Sequence, residues 1–238
     1  FHAHPPNEPA QQAIGSRAKL GLHCTSVVSG ASRVAKKAKT DAEIAAFRES
    51  VCEAATRLFI ERGPQNVTMR QIASELGVSP MTPYRYFQDK DEILAAVRAA
   101  AFNRFSEGLE AAVASASDAR SMGRAVGDAY VDFAIRYPAA YQLIFTLNQP
   151  NEERYPELQA ANARAQENMV DYVRRMIAAG LLEGDAQLIG YMFWASLHGI
   201  VVLDLGSGLR GMDGHTLREK IMRTLYAGMK VHPPRLDD

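Results

Sequence analysis

The sequence predicts an all-α protein, and three observations carry that prediction. Apolar residues recur every three or four positions through most of the chain beyond residue 40. The runs open on capping residues and close on glycine or proline. Only Ile200 to Leu205 is β-branched enough to suggest a strand, and it continues the helical pattern of Leu188, Met192, Ala195 and Gly199. With 238 residues, 47% of them hydrophobic and 23% charged, the chain can bury a core in one large or two small domains.

Residues 1–39 are rich in Pro, Ala, Ser and Gln and show no sustained period, which predicts a mostly disordered extension. His2 and His4 lack a third ligand and make a poor metal site. Arg33, Lys36, Lys37 and Lys39 precede the first helix as a cationic arm, read either as a phosphate or minor-groove contact or as a solvated tail. Thr40 and Glu43 form a capping box. Ile44, Phe47, Val51, Ala55, Leu58 and Phe59 then follow at helical spacing until Gly63-Pro64.

Thr68 and Gln71 make a second capping box, Ile72, Ala73 and Leu76 give an apolar face, and Gly77 suits a left-handed helix end. Ser79 can cap a further helix with Pro80 at its first position; Tyr84, Tyr86 and Phe87 crowd its end. Asp89 and Glu92 open a third helix with a similar box, continuing as a linker helix through Ile93, Leu94, Val97 and Phe105. Two helices joined by a tight Gly turn, braced by a helix on either side, form a helix-turn-helix module whose second helix can enter the major groove of DNA.

Past Asp118 the pattern gives four or five more helices: Met122 to Tyr137, Ala139 to Leu147, Glu157 to Ala179, Asp185 to Leu205 and Gly214 to Lys230. Gly206, Gly208 and Gly211 spell G-x-G-x-x-G, but no β-α-β unit surrounds them, so they read as a loop between helices. Domains are expected at 1–39 (extension), 40–98 (helix-turn-helix) and 99–238 (helical bundle).

Thr68, Ile72-Ala73, Leu76-Gly77-Val78-Ser79, Thr82, Tyr84, Tyr86-Phe87 and Lys90 stand in the order of the TetR family of bacterial repressors, which the stretch from Thr40 to Arg98 resembles. Trp194 with His198-Gly199, and Tyr137-Pro138 followed by Tyr141 to Phe145, are similar to a Trp-His-Gly class of C-terminal domains in that family. The resemblance implies a homodimer formed through the last two helices, binding a palindromic double-stranded operator and released by an unknown small-molecule effector. It implies phosphate contacts from Thr68, Thr82, Tyr84, Tyr86 and Lys90, and a base contact from Arg70. Ser79 and Met81 are lesser base readers. Pro83 departs from the pattern: its missing amide predicts a distorted or tighter start to the second helix and pushes Thr82 from helical angles.

Tyr84 is read as a contact or as packing within the module, and Phe87 as core. Trp194 and His198, four apart, share a helix face, with Gly199 permitting close approach of another helix. They form either an internally satisfied pair or part of a ligand cavity, with Tyr130, Phe133, Tyr141, Phe145, Met169 and Tyr172 as further lining residues.

Formal net charge is zero, so the whole-chain field gives no argument for nucleic acid; residues 41–100 hold nine acids against seven bases. Cys24 and Cys52 are too few for a disulfide framework, which fits a cytoplasmic protein. No apolar run approaches the roughly 20 residues that a spanning helix needs. Ser196, His198 and Asp204 lie on one helix and do not converge as a triad, so no enzyme, metal or cofactor is expected. The rival to a ligand-responsive repressor is a helical binding protein with a degenerate DNA module.

Overall fold

The computed structural model describes residues 40–145, 149 and 151–229. The expectations for the extension, its basic arm, His2, His4 and Cys24 lie outside the described residues. Among the described residues there are eight α-helices and no strand: α1 (Asp41–Arg62), α2 (Met69–Glu75), α3 (Lys90–Ser115), α4 (Ala119–Arg136), α5 (Pro138–Phe145), α6 (Pro156–Ala178), α7 (Ala186–Leu205) and α8 (Gly214–Gly228).

The helix starts follow the capping chemistry. Reciprocal boxes hold Thr40 with Glu43, Thr68 with Gln71 and Asp118 with Ser121. At α3 the box is offset. Asp89 accepts from the Glu92 amide at 2.8 Å, but the Glu92 carboxylate reaches one residue further back, to the Gln88 amide at 2.6 Å. Gly77 (φ 65°) turns the chain after α2, in a region that only glycine enters without strain.

Two cores result. The first gathers Val51, Leu58 and Phe59 of α1, Ile72 of α2, Phe87, and Ile93 and Val97 of α3. Ile44 lies outside it, exposed at the start of α1. The second is built around Phe105, Tyr130, Tyr141, Leu158, Val173 and Leu197. Helix α3 belongs to both, running without a break through residue 98, and Leu143 of α5 joins the first core.

Three local expectations are corrected. The segment after α2 is no α-helix: a turn at Ser79 to Thr82 leads into one turn of 3-10 helix at Pro83–Arg85. Neither Pro80 nor Pro83 has an amide to donate, so Thr82 bonds back to Ser79 O (2.9 Å), Arg85 to Thr82 O (3.2 Å) and Tyr86 to Pro83 O (2.9 Å). Ser79 caps nothing with its side chain; its hydroxyl lies 3.1 Å from that of Thr82. Thr82 itself keeps helical angles (φ −65°, ψ −46°), because these tight bonds outweigh the steric bias of the following proline.

Gly199 stands in open space; the close approach is at Gly190, where an added Cβ would come within 2.9 Å of the Met169 carbonyl on α6. Finally, α7 is long and apolar enough by composition to cross a bilayer, contrary to the reading of the sequence. A helix apolar on nearly every side passes the same test when it packs against a protein core, as the buried Ile189, Phe193 and Leu197 do.

Candidate nucleic-acid interface

The first core fixes what the helix-turn-helix region presents. Met69, Ile72, Ala73, Pro83 and Phe87 point inward, leaving Arg70 on α2 and Met81, Tyr84 and Arg85 on the following turns open to solvent. Met81 is 69% and Tyr84 48% exposed, large values for side chains of their size. Among the described residues Arg70 and Arg85 have no carboxylate partner.

The other expected contact residues are partly committed to the fold. The Thr68 hydroxyl donates to Gln71 Oε1 at 2.9 Å within its capping box. The Lys90 ammonium donates to the Pro64 carbonyl at 2.7 Å, which ties the start of α3 to the turn that follows α1 and leaves two further N–H donors on that group. The Tyr86 ring packs on Phe47, centroids 4.5 Å apart. Thr82, Tyr86 and Lys90 are half-buried.

Arg48, which the sequence did not single out, anchors the region. Its guanidinium donates to the Tyr86 carbonyl, pairs with Glu92 at 3.4 Å and lies 4.0 Å above the Phe87 ring. Its signal was a charge inside the apolar stripe of α1, between Phe47 and Val51. Arg85, between two tyrosines in the turn, was equally visible.

The second core holds two distinct cavities. One, of about 280 Å³, is lined by Arg98, Phe102, Phe145, Met169, Tyr191 and Trp194 among others. Of the eight expected lining residues only Phe145, Met169 and Trp194 reach it, while Tyr172 lines the second cavity. Tyr130, Tyr141 and Phe133 are buried in the core.

Tyr130, Tyr141, Trp194 and His198 satisfy one another instead. Trp194 Nε1 donates to Tyr130 Oη at 3.2 Å; Tyr130 and Tyr141 hydroxyls are 2.9 Å apart; Tyr141 Oη lies 2.6 Å from His198 Nδ1. A relay from indole through both hydroxyls to an unprotonated Nδ1 uses each donor once, assigning the proton to Nε2. Burial lowers the His198 pKa, in keeping with that neutral ring.

Arg98 on α3 is the charged residue at the edge of the first cavity. Only 3% exposed, it donates to the Leu143 carbonyl (2.9 Å) and Gln149 Oε1 (3.3 Å) and pairs with Glu152, while Gln149 donates to the Asp91 carbonyl (2.8 Å). This network ties the cavity wall to the first turns of α3. The partners lie 45 to 54 residues from Arg98, beyond any spacing rule.

Burial raises the Cys52 thiol pKa to about 11, so it is a packed thiol without nucleophilic character.

Comparison with known proteins places both halves. Residues 51–97 match the family described as "Bacterial regulatory proteins, tetR family", and residues 124–225 match "Tetracyclin repressor-like, C-terminal domain". The chain is 30% identical over 138 residues to the HTH-type transcriptional activator FasR of Mycolicibacterium smegmatis, covering 57% of this chain and 62% of that one. It is 27% identical over 153 residues to the HTH-type transcriptional regulator BetI of Brucella anthropi, covering 61% and 79%. A protein of unknown function from Rhodococcus sp. RHA1 shares the fold with a TM-score of 0.68 and 27% identity, over 77% of this chain and 95% of that one.

Proposed function

We propose, from the premise that this chain belongs to the TetR family of bacterial regulators, that it acts in the cytoplasm as a homodimeric repressor releasing its operator when a small molecule binds. One observation carries the reading most: Arg70, Met81, Tyr84 and Arg85 stand exposed on a segment whose inner side, Pro83 and Phe87, is locked into the core. Positioning falls to Tyr84, Tyr86, Lys90, Thr68 and Thr82, and base reading to Arg70, with Ser79 and Met81 beside it. Residues 40–98 form the reading module and the rest of the described chain the sensing body, α3 serving both.

Dimerisation is assigned to α7 and α8. Leu188, Met192, Val202, Leu203 and Leu205 stand exposed along α7, an apolar load that a solvent face does not carry without a partner. Two modules about one DNA turn apart, roughly 34 to 36 Å, would then read a near-palindromic site. The effector is assigned to the aromatic cavity beside Arg98, where about 1 to 3 kcal/mol of coupling is enough for derepression.

The test is footprinting of the full chain on genomic fragments that include its own upstream region, repeated across salt concentrations and with a metabolite panel. The proposal expects one protected palindrome, weakening steeply with salt and lost in Arg70→Ala. Weak binding to every duplex alike, indifferent to Arg70→Ala and Tyr84→Phe, would instead support a helical binding protein with a degenerate DNA module. The replacement of the second helix by tight turns, and the nine acids against seven bases in residues 41–100, favour that second reading.

A further inference from the structure

The second cavity, about 320 Å³, lies between α4, α6, α7 and α8 and shares no lining residue with the aromatic one. Its floor is apolar: Tyr172 and Met176 of α6, Phe193 and Leu197 of α7, Met222 of α8. Its rim is cationic. Arg120 and Arg124 come from α4, Arg218 and Arg223 from α8, against two acids, Asp128 and Glu219, and His215.

Those acids are not evenly shared. Asp128 pairs with Arg218 at 2.9 Å, and Arg218 Nη2 also lies 3.2 Å from His215 Nδ1; Glu219 faces His215 Nε2 at 3.9 Å. Among the described residues, no carboxylate lies within ion-pair distance of Arg120, Arg124 or Arg223, although Asp118 at the head of α4 feels the Arg120 charge. Three like charges around an apolar floor repel one another and are relieved by an anion.

Tyr172, Met176, Phe193 and Leu197 are themselves only 2 to 4% exposed, and a glycine keeps the space above them open. Gly127, one turn beyond Gly123 on α4, borders the cavity, and a Cβ there would touch only Leu197, at 4.0 Å. A larger side chain at 127 would fill the space. Solvated arginines alone would account for the rim but would leave the cavity over the apolar floor unexplained, and an uncharged apolar guest would leave the arginines unused.

We infer that this groove binds a free amphipathic anion, an apolar chain bearing a carboxylate or phosphate head. The chain lies on Tyr172, Met176, Phe193 and Leu197, and the head is held by Arg124 and Arg223 with Arg120 nearby. The site stands apart from the operator reading and from the aromatic cavity, and bound ligand bridges α4 to α8.

Isothermal titration of the full chain tests it with dodecanoate and dodecyl phosphate, both below their micellar concentrations, against dodecanol, inorganic phosphate and anionic phospholipid vesicles. Either amphiphile should bind, identifying carboxylate or phosphate as the preferred head, and dodecanol and inorganic phosphate each at least tenfold more weakly. The Arg124→Gln, Arg223→Gln double variant, whose altered side chains are exposed, should keep its thermal transition and lose about tenfold in affinity. Gly127→Leu should abolish binding; if that variant fails to fold, the arginine pair decides. Binding that is indifferent to the arginines, equal for dodecanol or confined to vesicles overturns the assignment, as does no binding at all.

Discussion

Arg48 and Arg98 do the same chemical job in the two halves of the molecule, and burial separates their consequences. Each guanidinium donates to a backbone carbonyl on another element, Tyr86 or Leu143, and pairs with a glutamate, Glu92 or Glu152. The Arg48 side chain is 35% exposed and its pair distance is 3.4 Å; the Arg98 side chain is 4% exposed. Water can replace what Arg48 supplies. It cannot reach the Leu143 carbonyl as easily, so the interior clamp carries the greater penalty when one partner is removed.

The largest expected effect follows directly. Arg98→Ala should destabilise the protein by about 3 kcal/mol, the low end for a broken buried pair because Glu152 keeps some solvent. Thermal or urea unfolding measures it. A loss no greater than that of an exposed pair would dissolve the contrast.

Tyr130→Phe comes next, since its hydroxyl accepts from Trp194 and adjoins Tyr141 and His198. Leaving the indole N–H unpaired should cost about 1 to 3 kcal/mol, read by the same unfolding curves. Arg48→Ala should cost about 1 kcal/mol, because its charge pair is partly solvated, yet it should loosen the Tyr86 end of the segment from Ser79 to Phe87. Amide exchange there, fast in the variant and slow in the parent, is the check.

A smaller effect concerns pH. The folded pKa of His198 lies below its usual 6.5, so the unfolded chain binds a proton first as pH falls. The stability contribution is present above 6.5 and is lost as pH drops through the folded pKa. His198→Gln should flatten that part of the melting-temperature profile; an unchanged slope would remove His198 as its cause.

The smallest is Pro83→Ala, which restores one amide donor. It should raise helicity at Ser79 to Phe87 with a stability change within about 1 kcal/mol, seen in NMR secondary shifts. A segment that stays in tight turns would place the cause elsewhere.

Much of the fold was legible because helix ends are local events. Thr40, Thr68 and Gly63 carry their own hydrogen-bonding instructions within three or four residues, and the five C-terminal helices follow their apolar period closely. The turn at Pro80 to Arg85 was half legible: the missing amide was plain, but whether one lost bond distorts a helix or abolishes it depends on the second proline. The exposed face at Arg70 and Tyr84 could be read from order alone. The cavities could not, because periodicity marks Tyr130, Phe133 and Tyr141 as inward without saying which inward residues leave a gap. Arg98, Gln149 and Glu152 meet only after folding, and nothing local announces a buried arginine.

Helix α3, 26 residues long, spans about 39 Å as one rod with the cavity edge at Arg98 and the exposed turns of residues 79–85 just before Lys90. Such a rod acts as a pointer. A tilt of about 5° about its far end sweeps the near end by roughly 3 Å, close to the rise of one base pair. Measured from that far end Arg98 lies at about 26 Å and Lys90 at about 38 Å, so under the proposed function a shift at the cavity edge reaches the turn before Lys90 enlarged about 1.5-fold, without any element having to unfold.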